Sequence, residues 1–327
     1  MALTIIRPGV LDTLQDMGRT GYAVAGINPG GVMDRYAAAV ANYLVGNDRN
    51  SAVMEMHFPA PQVLFRHDAL ISVCGADLQP CINEEPIPCW QPVMVRKNGL
   101  LHFARRNSGA RAYLAVHGGL DCHSWLNSCS TNLKVGAGGY KGRALMKGDV
   151  IGLRGQAPNI AIHGPASFRV LPWGIAPHEV YNDAGQLLMM PGPEWHLLSE
   201  ASMQAITTNR FSIDTRSDRM AYMLASESLQ LQQPVEMISS GVQFGTMQLL
   251  PNGQLLILMA DHQTTGGYPR IGAIIAAHLP KLAQLAGSSF RIAVTDVRTA
   301  EQMLFSQERD LRTIQRSCQD HLKQLHV

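Results

Sequence analysis

The chain has 327 residues, 46% of them hydrophobic and 16% charged, with a formal net charge of +2. That length favours two domains at about 100–200 residues each, and the core-rich, charge-poor composition excludes extended disorder. The scattered basic residues exclude a nucleic-acid or anionic-membrane patch, and no apolar run reaches the ~18 residues of a membrane span.

The opening Met1-Ala2-Leu3-Thr4-Ile5-Ile6-Arg7-Pro8 has neither a basic n-region nor a long apolar h-region, so no signal peptide is expected. Cys74, Cys81, Cys89, Cys122, Cys129 and Cys318 form no CxxC pair. Together these features predict a reduced, cytoplasmic setting with thiols rather than disulfides. Cys122-His123 followed by Cys129 matches no usual zinc spacing and reads as buried thiols, so no metal site is expected.

Short β-branched, apolar runs dominate: Leu3–Ile6, Ala69–Val73, Arg111–Val116, Phe168–Leu171, Leu187–Met190, Gln254–Met259 and Phe290–Val294. Gly, Pro, Asn and Asp punctuate them, which predicts a mainly β fold of barrels or sandwiches with few helices. One helix is predicted from Asp34 to about Val45. Asp34 can cap it, Tyr36, Ala37, Val40, Ala41 and Leu44 form its apolar stripe, and Gly46 supplies a left-handed exit. A second is predicted over Leu279–Leu285, and a third from Thr299 to about Leu325. In the third, Leu304, Leu311, Ile314, Cys318, Leu322 and Leu325 form a seam that can dock on the chain's own body or on another chain. The Gly/Pro/Ala-rich segment Gly152–Pro165 is the candidate linker. The predicted organisation is therefore residues 1–155, residues 156–298 and a helical tail over 299–327.

The strongest chemical signal is Ala260-Asp261-His262-Gln263-Thr264-Thr265-Gly266-Gly267-Tyr268-Pro269. It follows the strand-like run Leu255–Met259. It concentrates donors and acceptors at Asp261, Gln263, Thr264, Thr265 and Tyr268, permits close backbone approach at Gly266-Gly267, and stiffens its exit at Pro269. A hairpin turn needs far fewer hydrogen-bonding groups, so the run reads as a functional loop.

A second loop, Asp12 to Tyr22, carries Gln15, Asp16 and Arg19. Arg19 can clamp a carboxylate or phosphate, or can tie the loop to Asp16. Asn28-Pro29-Gly30-Gly31-Val32-Met33-Asp34 precedes a helix and can receive an anion, although Asp34 already serves as a cap. Arg216-Ser217-Asp218-Arg219-Met220 is either a surface ion-pair cluster or a guanidinium aimed at a substrate carboxylate. His117 before Gly118-Gly119 is either a general base or a structural histidine, and Glu194 sits in the Pro-Gly-Pro turn before Trp195. Ser130 has no triad pattern around it.

In order along the chain, Thr13–Arg19, Asn42–Asn47, Arg111–Val116, Gly142-Arg143-Ala144-Leu145 with Gly148-Asp149, Pro191–Glu194, Ser217–Met220 and Asp261–Pro269 resemble the allophanate hydrolase subunit 2 family. That family includes the C subunit of bacterial 5-oxoprolinase, the antagonist partner in the Kip sporulation-kinase inhibitor pair, and half of the carboxyltransferase region of urea carboxylase. The resemblance runs from Leu3 to about Val294. It implies two cyclophilin-like β-barrel domains and a sister-family partner, which in the oxoprolinase case is the B subunit, joined there by a third component, the A subunit. The chain departs from the family pattern at Met223, where an arginine is usual, at Ser240, where a glutamate is usual, and at His262.

The resemblance implies one component of an ATP-dependent complex that opens 5-oxo-L-proline to L-glutamate, inactive alone. Asp261, Gln263, Thr264, Thr265 and Tyr268 are then the catalytic candidates, and Gln15, Asp16, Arg19, Asp218 and Arg219 the substrate-binding candidates. No ATP motif is visible, so nucleotide belongs to the complex. Two alternatives accompany this reading. One is a carboxyltransferase component acting on a urea- or amide-like acceptor, with biotin arriving on a separate carrier. The other is a non-enzymatic antagonist that sequesters its sister-family partner.

Overall fold

The computed structural model describes residues 1–176, 178–182, 185–285, 287 and 289–325. The last two positions of the predicted tail, 326 and 327, lie outside the described residues. The architecture is mainly β with few helices, as the pattern of short runs predicts. It divides into two compact units.

The first unit comprises Met1–Gly18, Asp34–Pro177 and Arg309–Val327. Its strands form two six-stranded sheets. In one the order is Val150–Gly152, Ala2–Arg7, Gln62–Phe65, Leu100–Phe103, Pro80–Ile82, Glu85–Pro86; in the other it is Phe168–Val170, Pro92–Val95, Ala69–Asp77, Ser108–Val116, Val53–His57, Thr13–Gln15. Leu3, Ile5 and Phe65 of one sheet share a core with Met54, Val73 and Leu114 of the other. The run Ala69–Val73 is buried at every position because both of its faces are covered. Ile71 and Val73 enter the shared core, while Ser72 Oγ donates to the Ala41 carbonyl of the helix Arg35–Leu44 at 2.6 Å. Asp34 caps that helix as predicted, its Oδ1 accepting from Ala37 N–H at 2.9 Å, and Gly46 takes the left-handed conformation after its end.

The predicted linker falls inside this unit rather than at its edge, because Phe168–Val170 pairs antiparallel with Pro92–Val95. Two cysteines differ from expectation. Cys122 and Cys129 form a disulfide, with Cα atoms 5.9 Å apart, within the usual range for such a bridge. Spacing shows neither the β-bridge Trp125↔Ser128 between them nor the chain reversal that brings the two together. Cys74, Cys81, Cys89 and Cys318 are free thiols.

The second unit comprises Arg19–Met33 and His178–Glu308. Its strands close a barrel in the order Gln186–Pro191, Arg270–Ile274, Thr246–Leu249, Leu255–Leu258, Ala221–Ala225, Arg210–Ile213, Phe290–Val294, with the first and last pairing in parallel. Leu187, Met189, Phe211, Met247, Ile257, Ile271 and Phe290 fill the core. Leu188 and Met190, on the opposite face of their strand, pack against Ile275, Ala277 and Ala300. A two-stranded ribbon pairs Ser240–Gly241 with Thr265–Gly266.

A helix at Glu200–Thr208 is absent from the sequence prediction. Its signal is Ser199, whose hydroxyl accepts from Ser202 N–H, and Ile206, which is buried. The final helix spans Val297–Gln324. From Arg309 onward it counts with the first unit, where Leu311, Cys318 and Leu322 are buried and His321 stacks on Trp173 at 5.2 Å. The predicted seam thus docks on the chain's own body.

Candidate functional site

The predicted loop begins where Leu255–Leu258 leaves the barrel wall, and its base is locked from two directions. Met259 N–H donates to the Met220 carbonyl at 2.8 Å and Asp261 N–H to the Arg219 carbonyl at 2.8 Å, so the two segments continue side by side past the strands. The Arg219 guanidinium then grips Asp261 in a fork, Nε to Oδ2 at 2.8 Å and Nη2 to Oδ1 at 3.0 Å. The two side chains are only 6% and 14% exposed, so this is a desolvated, hydrogen-bonded pair rather than a surface contact. Nη2 also donates to the Gly31 carbonyl at 2.6 Å, and Asn28 Nδ2 donates to the Asp261 carbonyl at 3.0 Å. The Asn28–Gly31 turn is therefore stapled to the root of the loop.

Beyond the root, His262 turns inward and its Nδ1 lies 2.6 Å from the Gln263 carbonyl. Val242 N–H donates to the Thr264 carbonyl at 3.1 Å, and Thr265–Gly266 forms the ribbon with Ser240–Gly241. Arg270, after the loop, is held by Glu194 through Nε to Oε2 at 3.0 Å and Nη2 to Oε1 at 2.9 Å, and its Nη1 donates to the Gly241 carbonyl at 3.3 Å. The Arg270 hydrogen bonds hold the Glu194 carboxyl below the usual glutamate range, ahead of the opposing effect of its burial. Glu194 is thus the rigid-turn structural residue that its Pro-Gly-Pro setting suggests.

What remains at the tip is uncharged. Among the described residues, the side chains of Gln263, Thr264, Thr265 and Tyr268 make no hydrogen bond within the protein; Thr265 is exposed and Tyr268 is 41% exposed. Gly267, Tyr268 and Pro269 form one wall of a groove of about 800 Å³, whose other walls come from Ser228–Leu231, Pro234–Met237 and Leu249–Gly253. Of the tip residues only Tyr268 lines that groove. Its phenol, with the amide and hydroxyls earlier in the same loop, can grip a neutral amide-like edge, while the charged pair at the root is spent on holding the loop.

The other predicted residues are placed differently. Asp218 is an exposed turn cap, its Oδ1 accepting from Met220 and Ala221 N–H. Arg216, not Arg219, makes the surface pair, with Asp214 at 2.8 Å. Arg19 is buried in the second unit, and its backbone N–H donates to the Pro29 carbonyl.

Gln15 and Asp16 belong to the first unit and face inward. Gln15 Nε2 donates to Thr13 Oγ1 and the Thr131 carbonyl. Asp16 Oδ1 accepts from the Ser128 and Ser130 hydroxyls, each at 2.6 Å, and from Gly18 N–H at 2.8 Å, while Oδ2 accepts from Cys129 N–H at 2.5 Å. Four protein donors saturate that carboxylate, so Asp16 organises its own loop instead of presenting an oxygen to a substrate. His117 is likewise structural, its Nδ1 lying 2.6 Å from the Val45 carbonyl. Among the described residues no group of three His, Cys, Asp or Glu side chains is placed to hold a metal ion.

Residues 25–292 match the family model described as carboxyltransferase domain, subdomain A and B. The chain belongs to that family. It is 35% identical over 283 residues to the C subunit of 5-oxoprolinase from Escherichia coli (strain K12), covering 86% of this chain and 87% of that one. It is 34% identical over 305 residues to the C subunit of 5-oxoprolinase from Haemophilus influenzae, covering 93% and 94%. The crystal structure of K. lactis urea amidolyase superposes with a TM-score of 0.85 at 25% identity, covering 96% of this chain but only 20% of that one, so this chain corresponds to about a fifth of that protein's length.

The three departures from the family pattern now have positions. Ser240 faces Gly266 across the ribbon, beside the loop, and its Oγ is buried without a hydrogen bond. Met223 lies on the barrel strand Ala221–Ala225, opposite Leu256. The third, His262, lies within the loop itself and is buried at its root. Asn28, Gln248 and Arg270 are the supporting residues that sequence reasoning passed over. Asn28 stood inside a glycine-rich run read for its helix-capping end, and the other two sit in strands with no polar pattern to mark them.

Proposed function

We propose that this chain is the C subunit of an ATP-dependent 5-oxoprolinase complex, inactive alone and working in the cytoplasm with a sister-family partner, the B subunit, and with the A subunit. The observation that carries the proposal is the loop: a root locked by Arg219–Asp261 and Asn28, and a tip that presents only neutral donors and acceptors from Gln263, Thr264, Thr265 and Tyr268. Similarity over most of the chain to the C subunits of two bacterial 5-oxoprolinases supports it. No helix among the described residues is long and apolar enough to cross a membrane.

A five-membered lactam resists hydrolysis because amide resonance protects its carbonyl. Phosphorylation of the carbonyl oxygen lets water add to the carbon. The adduct then breaks its C–N bond, the ring nitrogen taking the proton of the added hydroxyl and leaving as the amine. The acyl phosphate that remains is hydrolysed by a second water to the γ-carboxylate and phosphate. The tip groups suit the lactam's adjacent N–H and C=O. Arg219 and Asp261 act by fixing the loop rather than by touching substrate, and Asp218 and Arg19 hold turns nearby in the same unit. Nucleotide is assigned to another component of the complex. In this chain the helix Arg35–Leu44, which follows a glycine-rich run, has its first-turn N–H already engaged by Asp34.

The test is glutamate release from 5-oxo-L-proline and ATP by the three components together. Omitting this chain should abolish turnover, and Thr264→Val and Tyr268→Phe should each lower it by about fivefold or more, the worth of one hydrogen bond of about 1 kcal/mol. Unchanged turnover without this chain would reject the proposal. The match to urea amidolyase and the carboxyltransferase family model favour one alternative, in which the same tip grips the ureido edge of carboxybiotin on a separate carrier protein. Binding to a biotinylated carrier in the presence of the sister-family partner, with no oxoprolinase turnover, would favour that reading.

A further inference from the structure

Gln248 is a polar side chain in a barrel strand, completely buried, on a strand whose neighbours Met247 and Leu249 are core residues. A buried carboxamide is costly unless its atoms are used. Here Nε2 is used on the loop, donating to the Tyr268 carbonyl at 3.2 Å, while Oε1 is buried without a hydrogen bond. The fit is also steric. A Cβ at Gly266 would lie 2.6 Å from Nε2 and 3.2 Å from Oε1, so the carboxamide occupies space that only glycine leaves. Next to it, Leu249 N–H donates to the Pro269 carbonyl at 3.1 Å. The strand thus grips the loop at two successive carbonyls, those of Tyr268 and Pro269, and one of the two grips is made by a side chain.

We propose that Gln248 is a positioning residue that sets the path of Gly266–Tyr268, and so aims the Tyr268 phenol and the Gly267 backbone at the groove. This rests on the reading of the loop as the working site, but the positioning itself is measurable without turnover. Gln248 reaches the groove only through the loop, because no atom of it lines the groove. Glycine at 266 and glutamine at 248 are one device: the first leaves the space, and the second fills it with a donor.

The experiment is hydrogen exchange of the whole chain, read over residues 261–270, with strands 255–258 and 290–294 as fold controls. Gln248→Met keeps the length and fills the volume but cannot donate. It should speed exchange across 264–269 by about fivefold or more, the equivalent of one lost hydrogen bond, with the control strands unchanged. Gln248→Glu regains a donor only when protonated. Its loop protection should match the wild type at pH 5 and exceed that of Gln248→Met at the same pH.

Wild-type protection of 264–269 in a folded Gln248→Met chain would overturn the proposal, and so would equal behaviour of the Met and Glu variants at pH 5. If the loop loosens as expected while the assembled three-component complex keeps its kcat and KM, the positioning stands and the assignment of the loop to turnover fails.

Discussion

The pair at the root of the loop allows a sharp test of whether Asp261 is a lock or a reacting group. Arg219 and Asp261 are both largely buried and share two hydrogen bonds, with a third from Arg219 to Gly31. Removing one partner strands the other charge away from water, which typically costs about 3–5 kcal/mol. Asp261→Ala should therefore destabilise the second unit by about that amount. Arg219→Ala should do the same, leaving a carboxylate and the Gly31 carbonyl without their donor.

Replacing both with apolar residues of similar size, Arg219→Met with Asp261→Leu, removes the charge and the need to pair it, and should return stability to within about 2 kcal/mol of the wild type. The two single losses sum to about 6–10 kcal/mol, so the coupling in the cycle should exceed about 3 kcal/mol. Urea unfolding followed by hydrogen exchange of strands 255–258 and 290–294 reads the second unit. Single substitutions costing under about 1 kcal/mol each, and adding simply, would refute the lock. If Asp261 instead took part in chemistry, the double variant would be stable and wholly inactive in the assembled complex, whereas a lock predicts activity that follows stability.

Three further outcomes are expected. Asp12 is 1% exposed, and burial pushes its carboxyl up to about 7, opposed by a hydrogen bond from Gly9 N–H. The native state holds the proton more tightly than the unfolded chain. Its contribution is fully present below about pH 4 and is lost as pH rises toward about 7, a span of about 4 kcal/mol at most. Asp12→Asn should flatten this decline in urea titrations between pH 4 and 8 and gain stability relative to the wild type at pH 8; an unchanged slope would count against it.

Reducing Cys122–Cys129 opens a loop with a sequence separation of 7. The cost should be about 2 kcal/mol, together with faster exchange at Ser128–Ser130, the groups that enclose Asp16; unaltered exchange after reduction would contradict this. Gly266→Ala should loosen the ribbon with Ser240–Gly241, because its Cβ collides with Gln248. The change should appear in exchange of 264–269 and should not add to that of Gln248→Ala, whereas a neutral Gly266→Ala would contradict the tight fit.

Much of the fold was legible because its causes are local. Each apolar run bounded by Gly, Pro, Asn or Asp became a strand, Phe290–Val294 with the predicted ends, and Asp34 capped the helix that follows it. The helix Glu200–Thr208 was missed because its apolar face is short and its cap is a single serine. The disulfide was missed because Cys122 and Cys129 meet only through the turn between them, which spacing does not reveal.

The loop from Asp261 to Pro269 was marked by its density of polar groups, and the ordered motifs by themselves point to the chain's family. The residue roles within it were a matter of distance. Arg219 and Asp261 stand 42 positions apart, and each alone looks like a group offered to a ligand; only the barrel, by pairing Ala221 with Leu258, brings them to hydrogen-bonding distance and consumes both charges. Asp16 met the same fate across 112 positions at Ser128. Residue types and local spacing therefore determined where chemistry could sit. Tertiary contacts decided which of those groups were already spent, because a buried charge must find its partner inside the fold, and so left Gln263, Thr264, Thr265 and Tyr268 as the groups still free to bind.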